Sequence, residues 1–174
     1  DKIGGTDKME EAKNIFLILD ELRENAKQVD NDGLKAVETL ITEANRIFIG
    51  GAGRSGFCAR GFSNRLMHLG YTVYFVGEPT TPSIQAGDLL IVGSGSGNTA
   101  KKAKDQGAKV ATLTMFPENK IGSMADAIIK IPGVTEKCAD QNEGGSVQAS
   151  GSSFEELCWI TYDAMVMDLM KITN

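Results

Sequence analysis

Residues 47–56 read IFIGGAGRSG, and residues 89–99 read LLIVGSGSGNT. In each stretch an apolar run with no polar face leads directly into glycines and hydroxyl side chains. That is the pattern of a strand buried on both sides that ends in a tight turn before a helix. Three further runs, Val73 to Val76, Val110 to Leu113 and Ile128 to Ile131, share the apolar composition and the Gly, Pro or polar flanks. Helix-compatible stretches separate the first four runs. The alternation predicts an α/β fold, a five-stranded parallel sheet with helices on both faces in a flavodoxin-like three-layer sandwich. In the strand order 2-1-3-4-5 the first and third strands are neighbours whose exits diverge, so both glycine-serine loops border the switch-point crevice.

Outward from this core the periodicity changes. From Met9 to Gln28 apolar residues recur every three or four positions among charges, and a second helix follows the Asp30-Asn31-Asp32 turn signal. Residues 1–8 read as an appended remnant or loose tail, and 9–174 as one domain that includes these two helices. The terminal helix, from about Phe154 to Ile172, has apolar residues all around its axis, more than one sheet can bury. A partner subunit would cover the remainder, so an oligomer is expected. Between Thr99 and Val110 only ten residues remain for a parallel crossover that usually needs about a dozen or more. A stunted helix, or missing chain, is expected there.

Composition narrows the function. Of 174 residues 41% are apolar and 24% charged, and 18 basic residues face 23 acidic ones for a net charge of -5. The sign disfavours nucleic acid or an anionic membrane as partner, and no run approaches the ~18 apolar residues of a membrane span. Cys58, Cys138 and Cys158 have no CxxC spacing and no secretory pattern precedes them, which reads as a reduced, cytoplasmic protein. With a single histidine and no thiol cluster, no metal site is expected.

The loops carry the chemistry. Ser94, Ser96 and Thr99 offer three hydroxyls within six residues, Ser55 adds a fourth, and Arg54 a positive charge; helix N-termini behind both loops favour an anion. A terminal phosphate monoester fits. Gly51, Gly53 and Gly56 also spell GxGxxG, with Glu78 22 residues beyond, which leaves a dinucleotide site as a competing reading. At the start of the terminal helix, Ser152 with Glu155 and Ser153 with Glu156 both fit a capping box, and only one can form. A cap at Ser153 would leave Glu155 free to face the crevice. His68 ends the helix that begins at the first loop, about 20 Å from Ser55 at 1.5 Å per residue, so any chemistry it does serves a neighbouring subunit.

The run from Gly51 to Thr99, the segment AKKAKDQGAKVATLT and the later GSSFEE together resemble the sugar isomerase (SIS) domain family, and within it the members acting on 3-hexulose 6-phosphate. GRSG, RLMHLG, FVGE, TTP and SGSG are specific as a set. The resemblance implies a homotetramer and isomerisation of D-arabino-hex-3-ulose 6-phosphate to fructose 6-phosphate, the step after aldol fixation of formaldehyde onto ribulose 5-phosphate. It places phosphate binding on Arg54, Ser55, Ser94, Ser96 and Thr99, and catalysis on Glu155 and His68, with no cofactor. Two departures stand out: the helix after Thr99 is short by roughly two turns, and Gln148-Ala149-Ser150 replaces the family's Gln-Pro-Met. Another phosphosugar, such as arabinose 5-phosphate, or a non-catalytic phosphosugar-binding module remain as alternatives.

Overall fold

A computed structural model describes residues 6–93, 97–134 and 145–173. Helices α1 (Thr6–Ala26) and α2 (Asn31–Glu43) precede β1 (Ile47–Gly50), α3 (Gly53–His68), β2 (Val73–Phe75), β3 (Leu89–Val92), α4 (Gly97–Asp105), β4 (Lys109–Thr114), β5 (Ala127–Lys130) and α5 (Ser152–Thr173). Helix α1 starts at Thr6, inside the stretch read as a tail, and residues 1–5 lie outside the described residues. The Asp30 turn signal is used as expected: its Oδ1 accepts the Asp32 N–H at 3.0 Å and caps α2.

The five strands form one parallel sheet in the order β2-β1-β3-β4-β5, with β1 flanked by β2 and β3. Successive strand residues point to opposite faces, and here both faces are covered, which is why the runs lack polar alternation. Ile47, Ile49, Leu89, Ile91, Leu113 and Ile129 join side chains of α2, α3 and α5 in the larger core. Phe48, Leu90, Val92 and Val110 join Ala100 and Ala103 of α4 in the smaller one. Gly33 lets α2 close onto the sheet, since a Cβ there would stand 2.2 Å from the Ile128 carbonyl oxygen.

The two layers are unequal. Helix α4 has nine residues and still completes a parallel crossover, so the stunted helix expected after Thr99 is present. Its brevity leaves a cavity of about 440 Å³ beside it, floored by Phe48 and Leu90 and bordered by Thr81 to Ile84 and Lys102. At the sheet's amino edge, Arg46 and Asp88 tie the starts of β1 and β3 through two hydrogen bonds of 3.0 and 2.5 Å. Among the described residues no helix is long and apolar enough to cross a membrane.

Candidate active site

At the carboxyl edge the two glycine loops begin side by side: the Gly93 N–H donates to the Gly50 carbonyl at 3.4 Å. The exits of β1 and β3 are therefore neighbours, as the strand order requires. Gly51 and Gly56 meet backbone to backbone: a Cβ on Gly56 would stand only 2.7 Å from the Gly51 oxygen, and one on Gly51 would crowd the Gly56 Cα at 3.0 Å. This tight return starts α3 at Gly53, earlier than the sequence pattern indicates, and puts Arg54 and Ser55 in its first turn. Ser94 and Ser96 lie outside the described residues. Thr99 is partly buried in the first turn of α4.

Glu155 lies in the first turn of α5 and its carboxylate pairs with the Arg54 guanidinium through Nε. The Glu155 side chain is 16% exposed. Its backbone is held twice: its N–H donates to Gly151 and its carbonyl accepts the Cys58 thiol at 3.3 Å. Burial, reinforced by the nearby Glu155 charge, raises the Cys58 pKa, so the sulfur keeps the proton that this bond needs. Arg54, Phe57, Cys58, Glu155, Glu156 and Trp159 line a cavity of about 280 Å³. A carboxylate largely out of solvent, lining a small cavity and held by a guanidinium, can accept a proton from a bound substrate.

Glu155 thus reaches a cavity, but by a different route from the capping box. The helix opens after Gly151, at φ +83°, whose N–H donates to Val134 at 3.0 Å. Ser153 is buried inside the first turn, and among the described residues neither its Oγ nor Glu156 Oε2 has a hydrogen-bond partner. The packing of Phe154 and Leu157 into the core sets the start of α5, overriding the local capping pattern.

The dinucleotide reading is corrected. The order 2-1-3 is not the 3-2-1-4 order of dinucleotide folds. Glu78, which would hold a ribose, instead pairs with Arg60 at 2.5 Å, and that guanidinium also stands 4.0 Å over the Phe75 ring. His68 closes α3 and is exposed, remote from Glu155 within the chain, as its position along the helix requires. Sequence reasoning missed two relations. Arg54 and Glu155 are 101 residues apart, and no spacing announces their pairing. Lys120, in the turn after β4, carries no motif, yet its ammonium donates to Asn98 Oδ1 at 3.2 Å, beside the second loop.

The model of the SIS domain family matches residues 40–155. The chain belongs to the SIS family. Among relatives, the 3-hexulose-6-phosphate isomerase of Bacillus subtilis is 40% identical over 94% of this chain and 91% of its own. The protein of the same name from Mycobacterium gastri is 38% identical over 92% of this SIS chain and 83% of its own. A crystal structure from Methanococcus jannaschii, described as inferring 3-hexulose-6-phosphate isomerase function, superposes with a TM-score of 0.68 at 33% identity, covering 95% of this chain and 90% of that one.

Proposed function

We propose that this SIS protein is a cytoplasmic isomerase that interconverts D-arabino-hex-3-ulose 6-phosphate and fructose 6-phosphate, consuming the product of an aldol addition to a ketopentose phosphate. The observation that carries the reading is Glu155, held by Arg54 in a cavity at the first glycine loop, in a chain similar to enzymes of that name.

Moving the carbonyl from C3 to C2 requires loss of the C2 proton. The electron pair forms an enediolate, and a proton then returns to C3. A single carboxylate over the shared face can do both, within about 3 Å of each carbon in turn. Glu155 is that carboxylate. Ser55, Ser94, Ser96 and Thr99 hold the phosphate, whose binding energy, remote from the reacting carbons, keeps them in register with the base. His68 of an adjacent subunit in a homotetramer assists ring opening or proton movement between the oxygens.

The decisive assay couples hexulose phosphate consumption to fructose 6-phosphate detection. Glu155→Gln should lower kcat by about a thousandfold while phosphosugar binding survives; near-normal turnover would remove Glu155 from the mechanism. Ser94→Ala with Ser96→Ala should chiefly raise KM.

A further inference from the structure

A phosphate dianion needs a compensating charge, and Arg54, the cation of the first loop, is engaged with Glu155. A second cation stands at the other loop. Lys120 lays its stem across the first residue of α4: a Cβ on Gly97 would come within 2.6, 2.9 and 3.1 Å of the lysine Cδ, Cγ and Cε. Its ammonium bonds to Asn98 Oδ1, and no carboxylate among the described residues lies within ion-pair distance of it.

The turn that carries Lys120, itself an exposed residue, is closely hydrogen-bonded. Asn119 Oδ1 accepts the N–H groups of Ile121 and Gly122 at 3.0 and 2.8 Å, and the Asn119 amide donates to Thr114 Oγ1 at 3.1 Å. Gly122 packs onto Pro117 so closely that a Cβ would meet the carbonyl oxygen at 1.9 Å. A lysine fixed against the N-terminus of α4 faces the positive end of the helix dipole, an unfavourable neighbour for a cation. An anion between the two turns both into attraction.

We infer that Lys120 supplies the positive charge that holds the substrate phosphate at the start of α4, while Arg54 is reserved for Glu155. The inference rests on the phosphosugar reading of the site. Neither the glycine loops nor the SGSG motif contains this residue; it enters from the far end of β4.

The test compares the full chain with its Lys120→Met and Lys120→Arg variants by calorimetric titration with inorganic phosphate and by steady-state kinetics. Methionine keeps a stem over Gly97 and removes the ammonium, with its charge and its bond to Asn98. Lys120→Met should weaken phosphate binding and raise KM by about tenfold or more, with kcat within about threefold, and arginine should restore most of the loss. Unchanged phosphate affinity in Lys120→Met would overturn the assignment, as would an arginine variant equally weak or a wild-type chain that binds no phosphate. If phosphate binds through Lys120 but the wild-type chain turns over no hexulose phosphate, the isomerase reading fails and the anion site stands.

Discussion

Asp88 is 2% exposed, and its carboxylate is satisfied by the Arg46 guanidinium and by the Gln85 N–H at 2.8 Å. Desolvation alone would raise its pKa; the Arg46 and Gln85 hydrogen bonds outweigh that and leave it below the ordinary carboxylate range. Arg46→Ala strands a buried charge and should lower stability in denaturant unfolding. Because the folded pKa is depressed, the contribution is fully present above the unfolded value near 4 and is lost as pH falls through the folded value. Wild-type stability should therefore drop below about pH 4, and Asp88→Asn, less stable at neutral pH, should show a flatter acid limb in the same measurement. At this scale the sequence was informative for some residues and mute for others. The family motif pointed to Glu155, because GSSFEE is a local string, and that side chain lines a cavity. The pairing of Arg54 with Glu155 was illegible, because nothing local signals a partner 101 residues away. The twin capping pattern at Ser152 and Ser153 was undecidable locally, since burial of Ser153 comes from tertiary packing.

The elements show the same division. Strand positions were legible because each run is apolar on both faces, a property of the residues themselves; helix starts were less so, and α3 begins at Gly53 because of the Gly51–Gly56 contact rather than any propensity. Where α2 meets α5, a further carboxyl is misfitted. Glu38 is raised to about 7 by burial first, then by the neighbouring Asp168 carboxylate, against the opposing Lys171 and Lys35. A raised carboxyl favours the folded state most below its unfolded pKa, and that advantage fades as pH climbs from there through about 7. Above that range two carboxylates face each other across the helix contact. Glu38→Gln should consequently stabilise the protein by about 1 kcal/mol at pH 8, after allowance for solvent screening, and by little at pH 5. Thermal melts at the two pH values check it; an equal effect at both would place the cost elsewhere than in the Glu38 charge.

For the whole molecule, the larger core consumes one face of α5 and leaves another bare. Phe57 of α3 is 68% exposed and Met167 of α5 65%, with Trp159, Ile160, Met170 and Ile172 exposed on the same terminal helix and Phe16 and Leu19 on α1. The proposed tetramer would cover these apolar side chains, and it is the occupant that also gives His68 a site. Light scattering should return about four times the chain mass. Met167→Glu with Met170→Glu changes side chains that are exposed in the single chain, so the fold should survive while the assembly weakens. The catalytic consequence separates shared sites from mere association. His68→Ala and Glu155→Gln chains should each be inactive alone, yet regain part of the activity once their subunits are exchanged, because a mixed pair rebuilds one site with an intact His68 from one chain and an intact Glu155 from the other. If the mixture exchanges subunits, by mass spectrometry, and stays inactive, His68 does not serve its neighbour's Glu155, and the oligomer has to be explained by the apolar faces alone.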